Sequence, residues 1–300
     1  MEDFRRFRLE SGDGDAEFIV HRVFEGIELT FNAVHMPACA LGASHPSHCI
    51  EIHHCREGRL EQQLDDTFFY LSEGDLSVSI RHNKGISYKF PLKHYHGVTI
   101  SIDTDIAPAC FSCFLKDVEV SPMAVAKKLC GENKSYVARS APFVEHIFSE
   151  LYTVPEKIQK GYFKVKVLEL LLMLSGIQAE IKPEDKAALP PEQARLAAAV
   201  GTVIAEELHH RISLEQLTKR FGVSSVGLQN AFKGVYGMPI ISYVRLCKMQ
   251  RAALDLIQTE RSVLEIAGEL GYDNASKFAD AFKKLMGETP SEYRKNHSKI

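Results

Sequence analysis

An internal repeat in the last third of the chain constrains the fold more than any other feature of the sequence. Residues 213–223 align with residues 262–272, and after one inserted residue the similarity continues from residues 228–233 to residues 278–283. The match extends to two further pairs, Gly237 with Gly287 and Tyr243 with Tyr293. Repetition of this kind indicates two copies of one small structural unit.

Each copy has the pattern of two short helices joined by a tight turn. A serine predicts the N-cap of the first helix, and a Gln or Glu three residues later completes a capping box. A glycine then ends that helix, and two apolar residues four apart define the buried face of the second helix. These positions are Ser213, Gln216, Gly222, Leu228 and Phe232 in the first copy, and Ser262, Glu265, Gly271, Phe278 and Phe282 in the second.

The opposite face of each second helix carries polar and small side chains, which is typical of a helix-turn-helix that reads DNA. A helix fits the major groove, where such side chains reach base edges, while Lys and Arg contact phosphates. The predicted DNA-binding residues are Ser224, Ser225, Val226, Gln229, Asn230 and Lys233 in the first copy, Asn274, Ser276, Lys277, Lys283 and Lys284 in the second, and Arg294 in the last helix.

Two features bear on how the copies would act together. A continuous helix is predicted over residues 242–256, and at about 1.5 Å per residue it spans roughly 22 Å. With the flanking helices, this places the two recognition helices roughly one DNA turn apart, about 34 Å. In the second copy, Asp280 accepts a hydrogen bond only from cytosine, or turns away to pair with Lys277 or Lys284. Whether that copy reads bases or only grips the backbone stays open.

The composition is that of a globular protein that does not bind polyanions by charge alone. Hydrophobic residues make up 45% of the chain, and the formal net charge is −3. There is no apolar run near the roughly 20 residues that a membrane-spanning helix needs, and the N-terminus lacks the apolar segment of a secretory signal. Seven scattered cysteines fit free thiols in a reducing compartment. We therefore expect a cytoplasmic protein.

The first part of the chain favours β-structure. Alternating runs such as residues 27–31, 50–53 and 98–102 are separated by turn signals, which predicts a sandwich or barrel. From Ser121 the period becomes helical, and one long helix carries an apolar stripe that is expected either in the core or in a dimer interface. The stripe comprises Phe163, Val167, Leu170, Leu171 and Leu174.

The predicted fold class is α+β, with four segments in order. A β-domain of residues 1–120 is followed by a helical connector of residues 121–181. A polar, proline-rich linker of residues 182–192 leads to an all-α domain of residues 193–300 that holds both helix-turn-helix copies.

Residues 193–300 resemble the C-terminal DNA-binding domain of the AraC/XylS family of bacterial transcription regulators. The resemblance is carried by residues 262–267, 271–272, 276–278, 281–284 and 287–294. In the β-domain, residues 50–59, 71–76 and 90–97 are similar to the cupin-like sensor domain of many members, in the branch that includes siderophore-responsive regulators. The resemblance implies a homodimeric regulator of promoter DNA that responds to a small-molecule effector. It also implies contact with RNA polymerase if the protein is an activator.

The candidate effector-binding residues are polar side chains of the β-domain: His53, Arg56, Tyr70, His94 and His96. His94 and His96 alternate along a strand, as a pair of metal ligands does in metal cupins. The glutamate that usually follows such a pair is missing, so we expect no metal, no cofactor and no catalytic residue. Two alternatives stay open, a cupin-type metal-binding enzyme with an accessory helical domain and a regulator that senses no ligand.

Overall fold

The computed structural model describes residues 4–41, 48–64, 67–81, 88–111, 120–131, 135–140, 142–177, 188–210 and 212–297. The chain forms two compact units, Met1–Leu189 and Pro190–Ile300. Within the described ranges, no helix is both long enough and apolar enough to cross a membrane.

Antiparallel sheets make up most of the first unit. Its described strands are β1 Phe4–Ser11, β2 Gly14–Phe24, β3 Ile27–His35, β4 Ala38–Cys39, β5 Cys49–Gly58, β6 Leu60–Leu64, β7 Thr67–Leu71, β8 Leu76–Arg81, β9 Tyr88–Lys89, β10 Tyr95–Asp103, β11 Ser135–Ala138 and β12 Ala188–Leu189. Seven strands form one sheet in the order β1-β2-β3-β10-β5-β8-β11, and five form a second in the order β12-β7-β6-β9-β4. The predicted β-domain is confirmed.

The two faces of the larger sheet differ in polarity, because successive side chains of a strand point to opposite sides. On one side, Ile52 of β5 and Val98 of β10 belong to a large apolar core. On the other side, Glu51, His53 and Thr99 are buried polar residues, and they lie beside a second apolar cluster that joins this sheet to the smaller one. The second face is called the inner face here, since it contacts residues of the smaller sheet.

Three helices cover the apolar face of the larger sheet: α1 Pro122–Cys130, α2 Pro142–Leu151 and α3 Gln159–Gly176. Phe163 of α3 packs against Phe31 and His21, with ring centroids 5.8 and 4.9 Å apart. The whole predicted apolar stripe, Phe163, Val167, Leu170, Leu171 and Leu174, lies in this core. The suggestion that these five residues form a dimer interface is therefore corrected, because they are already buried by their own chain.

The segment predicted as a linker is partly structured. Residues 182–187 lie outside the described residues, but Ala188 and Leu189 pair with Phe69 and Phe68 of β7. The next helix begins at Pro191, within the predicted linker. Proline suits the first helical turn because its fixed φ matches the helix and that turn has no use for its missing N–H.

The second unit is helical throughout its described elements: α4 Pro191–Glu206, α5 Leu214–Phe221, α6 Ser225–Tyr236, α7 Ile240–Gln258, α8 Val263–Glu269, α9 Ala275–Met286 and α10 Pro290–His297. The pairs α5–α6 and α8–α9 are the two helix-turn-helix copies. The connecting helix α7 contacts both α6 and α9. It has 19 residues and extends two residues beyond each end of the predicted helix.

A close contact joins α4 to the first copy. A Cβ atom at Gly201 of α4 would lie 1.9 Å from the hydroxyl oxygen of Tyr236 on α6. Tyr236 is itself buried and stacks on Phe232, with centroids 4.3 Å apart. The tyrosine therefore has little room to move, and only glycine fits at position 201.

We expect Gly201→Ala to lower the free energy of unfolding of the second unit by about 1–3 kcal/mol, because the extra methyl group overpacks this contact. The matched control is Gly268→Ala in α8, where an added Cβ meets no atom within 4 Å. That change should stabilise the helix by roughly 0.5–1 kcal/mol. Thermal melts followed by circular dichroism compare the two variants, and shifts of the same sign would contradict the packing argument.

A buried histidine lies between the larger sheet and α2. The ring of His54 stacks on Phe148, with centroids 4.2 Å apart and an interplanar angle of 9°. Its Nδ1 has no hydrogen-bond partner among the described residues. Burial lowers the pKa of His54 from 6.5 to about 4, because the apolar surroundings disfavour the charged imidazolium.

We expect the free energy of unfolding of the first unit to fall between pH 6.5 and about pH 4. In this window the unfolded chain binds a proton at His54 that the folded chain excludes, so acidification favours unfolding. Denaturant melts at pH 7 and pH 4.5 should show an acid-induced loss that is about 2 kcal/mol smaller in His54→Phe than in the unmutated protein. Equal losses in both proteins would show that His54 is not the group responsible.

Candidate nucleic-acid interface and effector site

Capping contacts fix the turn of the first helix-turn-helix. Ser213 Oγ accepts from the Gln216 N–H at 3.2 Å, and Gln216 Oε1 accepts from the Ser213 N–H at 3.0 Å. Gly222 ends α5 in the left-handed region at φ 65°, which glycine adopts without strain. Ser224 then caps α6, and its Oγ accepts from the Gly227 N–H at 3.1 Å. The predicted capping box and turn are confirmed.

The second helix-turn-helix is built in the same way. Ser262 Oγ accepts from the Glu265 N–H at 3.2 Å, and Glu265 Oε2 accepts from the Ser262 N–H at 2.7 Å. Gly271 follows α8 with φ 75°. Asn274 Oδ1 accepts from two N–H groups in the first turn of α9, at 2.8 and 3.2 Å. Like Ser224, Asn274 thus uses its side-chain oxygen to cap its own helix.

Helices α6 and α9 each have one buried and one exposed side. Leu228 and Phe232 of α6, and Phe278 and Phe282 of α9, are fully buried. The opposite sides are exposed apart from half-buried Gln229. We call them the α6 recognition face, formed by Ser225, Val226, Gln229, Asn230 and Lys233, and the α9 recognition face, formed by Ser276, Lys277, Lys283 and Lys284.

Two residues on these faces depart from a purely polar, basic surface. The side chain of Val226, in the first turn of α6, is 70% exposed. An exposed apolar group at this position suits contact with a thymine methyl group. Asp280 is exposed on α9, and the described residues show no ion pair between it and Lys277 or Lys284. A free carboxylate there opposes contact with phosphate.

Arg294 has a structural role. Its Nε donates to the carbonyl of Leu256 at 3.0 Å, and its Nη2 donates to the carbonyl of Arg261. Leu256 lies in the last turn of α7, where carbonyl groups have no partner within the helix. The phosphate contact of Arg294 stays a prediction, and it would have to use Nη1, because Nε and Nη2 are engaged with the backbone.

Other basic residues of the second unit also hold helices together. Buried Asp255 of α7 pairs with Arg251 at 3.1 Å and with Arg261 at 3.2 Å. Lys248 of α7 donates to the carbonyl of Leu270, just after α8, at 2.6 Å. Burial lowers the pKa of Lys248. Lys248 and Arg261 therefore link α7 to the residues that flank α8, and Arg251 pairs within α7, whereas the lysines of the recognition faces are left exposed.

A chain of hydrogen bonds crosses the inner face of the larger sheet. Asn32 Nδ2 donates to Thr99 Oγ1 at 2.9 Å, and Thr99 Oγ1 lies 3.0 Å from His53 Nδ1. His53 Nε2 lies 3.2 Å from the hydroxyl of Tyr88, which donates to Glu51 Oε2. These contacts link β3, β10 and β5 of the larger sheet to β9 of the smaller one.

The carboxylate of Glu51 ends this chain and forms a buried ion pair with Arg81. Burial by itself would raise the pKa of Glu51, but the hydrogen bonds and charges of His53, Arg81 and Tyr88 outweigh it and lower the pKa to about 2. Burial also raises the pKa of Tyr88 well above its usual value, which keeps the phenol a donor. Glu51 is thus a charged group inside the β-domain.

Two polar side chains beside this series of hydrogen bonds have atoms without partners among the described residues. Both Nη atoms of Arg81 and the Oδ1 of Asn32 are buried without a hydrogen bond there. Gln62 of β6 donates to Ser79 at 3.0 Å on the same inner face. An interior between two sheets is ordinarily apolar, and a buried unpaired donor or acceptor costs free energy. Arg81 and Asn32 thus carry hydrogen-bonding atoms that no described residue satisfies.

The structure does not bring the five candidate effector residues together. His53 lies on the inner face, but Tyr70 lies on the outer side of the smaller sheet, where its hydroxyl donates to Glu61 at 2.6 Å. Arg56 packs over the ring of Tyr152 at 4.2 Å. His94 and His96 lie together at another place, with ring centroids 4.7 Å apart. The five residues thus lie at more than one place in the first unit, as strand alternation requires of neighbouring positions, and their role in effector binding stays a prediction.

Comparison with known proteins agrees with this geometry. A helix-turn-helix domain family matches residues 217–296. The chain is 31% identical over 102 residues to the HTH-type transcriptional activator AarP of Providencia stuartii, a match that covers 34% of this chain and 76% of AarP. The chain belongs to the AraC/XylS family of transcription regulators. As a member of that family, it is a DNA-binding regulator.

Two further matches each cover about a third of this chain. The F1 operon positive regulatory protein of Yersinia pestis is 39% identical over 92 residues, which are 30% of this chain and 31% of that protein. The chain thus spans about a third of that relative. The C-terminal domain of AraT, a response regulator from Geobacillus stearothermophilus, is 30% identical with a TM-score of 0.34, covering 35% of this chain and 88% of the domain.

Sequence reasoning missed the partners of His53. Glu51 precedes it by two residues on the same strand, so strand alternation gives the signal that both side chains share a face. Arg81 and Tyr88 come from β8 and β9, and no local pattern links them to β5. Their proximity depends on the pairing of strands that are far apart in sequence.

Proposed function

We propose that this AraC/XylS-family regulator recognises a promoter sequence through the α6 and α9 recognition faces. The observation that carries the proposal is that both helices bury apolar residues on one side and leave polar side chains and a capped N-terminus exposed on the other. Such a helix can enter the major groove without exposing its own core.

The α6 recognition face has the chemistry for base reading. The amide of Asn230 can make a pair of hydrogen bonds to adenine, Gln229 has the same chemistry, and Val226 suits a thymine methyl group. Lys233 is placed one helical turn beyond Asn230 and serves a phosphate.

The α9 recognition face is richer in cations. Lys277 lies in the first turn of α9, while Lys283 and Lys284 lie in its last turn. The carboxylate of Asp280 restricts direct base contacts to cytosine. We infer that the second copy contributes mainly backbone affinity.

Helix α7 sets the spacing of the two copies. Its 19 residues span about 28 Å at 1.5 Å per residue. Together with the width of α6 and α9, this length suits two major-groove segments about one DNA turn apart. One chain would then contact two successive grooves on the same side of the duplex.

Selection of duplexes from a random pool with the full-length chain tests this proposal. We expect the selection to enrich one sequence. The base pairs in the half that α6 contacts should vary less among the selected duplexes than those in the other half. On the selected duplex, Asn230→Ala should weaken discrimination at one base pair by about 1–3 kcal/mol. Lys283→Met should weaken all duplexes alike and reduce the slope of log affinity against log salt by about 0.9.

The charge-matched control is Arg22→Met, an exposed site in the first unit, which should leave both the discrimination and the salt slope unchanged. Recovery of no enriched sequence, or equal affinity of the chain for scrambled duplexes, would contradict sequence-specific recognition.

Arg294→Met should lower the free energy of unfolding of the second unit by about 1.5–3 kcal/mol, since it removes charged hydrogen bonds to partly buried carbonyl groups.

We further propose that a small polar effector binds on the inner face of the larger sheet, beside Glu51 and Arg81. The support is the set of buried atoms there that have no hydrogen-bond partner within the described part of the chain, the two Nη donor atoms of Arg81 and the acceptor Oδ1 of Asn32. An effector that carries a carboxylate or carbonyl and a hydroxyl or amine satisfies both. If effector binding favours one conformation of the regulator, the effector changes the affinity for DNA. DNA then changes the affinity for the effector by the same coupling free energy.

A thermal-shift screen with small hydroxylated carboxylic acids tests the effector site. A compound that binds should raise the melting temperature of the unmutated chain and change its affinity for the selected duplex. Neither effect should appear in the double variant Glu51→Gln/Arg81→Met, which removes both charges together. A compound that acts equally on the double variant would place its site elsewhere, and unchanged DNA affinity with every compound would favour the ligand-independent regulator.

We also propose that the protein forms a homodimer and contacts RNA polymerase. The names of two relatives, an activator and a positive regulatory protein, support a role in activation. Helix α3 leaves Val165, Leu172 and Met173 exposed on the side away from its core. These residues, rather than the buried stripe, provide apolar surface for a second chain.

A further inference from the structure

Three histidines lie together on the larger sheet, on the face opposite to the inner face. In the register of β3 and β10, Tyr95 pairs with Val34 and His96 with Ala33. Extending the pairing by one residue sets His94 opposite His35. Residues two apart on a strand share a face, so His35, His94 and His96 all project to the same side.

An irregularity in β5 brings a carboxylate to the same place. The register of β10 with β5 shifts between His96 and Gly97, so that Glu57 lies opposite His96. Glu57 Oε2 is 3.6 Å from both His94 Nε2 and His96 Nδ1. The bulge thus re-aims one side chain, which is a common use of bulges in sheets.

The distances within the cluster fit a shared cation. His96 Nε2 lies 3.1 Å from His35 Nε2, and one ring nitrogen from each of the three histidines lies within 4.8 Å of the others. Tetrahedral zinc with bonds of about 2.0–2.1 Å requires nitrogens roughly 3.3 Å apart. All three side chains are partly exposed, at 45%, 38% and 32%, so an ion has access from solvent.

We propose that His35, His94 and His96 bind a divalent transition-metal cation such as zinc. Imidazole nitrogens favour zinc and its first-row neighbours, whereas magnesium and calcium prefer oxygen ligands. The site is separate from the inner face, since His96 and Thr99 lie three residues apart on β10 and point to opposite sides of the sheet. Sequence alone offered only the His94–His96 pair; β3 adds the third ligand.

Two carboxylates are placed to orient the ligands. Asp15 pairs with His35 across β2 and β3, and its Oδ2 is 3.6 Å from His35 Nδ1. The opposite nitrogen of that ring, Nε2, faces His96. A metal-binding histidine commonly donates its other N–H to a carboxylate, which fixes the ring. Asp15 has this position for His35, and Glu57 has it for His96.

Equilibrium dialysis of the full-length, chelator-treated chain against zinc, followed by elemental analysis, tests the proposal. We expect one bound equivalent that excess magnesium does not displace. His96→Ala and His35→Ala should each weaken zinc binding at least about 100-fold, and Asp15→Asn about 10-fold. The control is His146→Ala, an exposed histidine of α2, which should leave zinc binding unchanged.

Cobalt gives a second readout that does not depend on the folding of a variant. With histidine ligands, bound cobalt should show visible absorption without the near-ultraviolet charge-transfer band of a thiolate ligand. A thiolate band would assign the metal to cysteines and overturn the proposal. Undiminished zinc binding in the combined variant His35→Ala/His94→Ala/His96→Ala, or no zinc bound by the unmutated chain, would also overturn it.

Discussion

The alternation of side chains along β5 and β10 is the constraint on which the first unit depends. Because neighbouring residues of a strand face opposite ways, the same two strands supply the apolar core under the helices and the polar inner face. Ile52 and His53 are adjacent in sequence, but one lies in the core and the other in the hydrogen-bonded chain. A slip of one residue in the pairing would exchange these environments and bury Glu51 among apolar side chains.

The second unit separates structural cations from exposed ones. Lys248, Arg261 and Arg294 pair with groups of other segments, and Arg251 pairs with Asp255 within α7. The lysines of the recognition faces instead remain exposed. The cations open to a ligand on α6 and α9 are therefore Lys233, Lys277, Lys283 and Lys284, all of which are exposed.

The helical repeat could be predicted in detail because its signals are local. A cap, a glycine at positive φ and two apolar residues four apart all lie within about twenty residues of one another, and the contacts they predict are those observed at Ser213, Ser262 and Gly222. The β-domain allowed less. Its strand class follows from alternation, but Arg81 reaches Glu51, and His35 reaches His96, only through pairing between distant segments. Similarly, the sequence predicts a free cation at Arg294. In the structure this side chain caps a helix, because it bonds to carbonyl groups of residues 33 and 38 positions away.

The buried charges of the β-domain are better explained by function than by stability. Replacing a buried ion pair by well-packed apolar residues is often neutral or stabilising, because desolvation offsets much of the attraction between the charges. The pair of Glu51 and Arg81 therefore gives the fold little that a leucine and a methionine would not. What the charged pair adds is a fixed array of donors and acceptors, aligned by Tyr88 and His53, in which the Nη atoms of Arg81 have no hydrogen-bond partner among the described residues. A molecule that completed this array would gain hydrogen bonds at sites already desolvated, which is how a preorganised binding site achieves affinity.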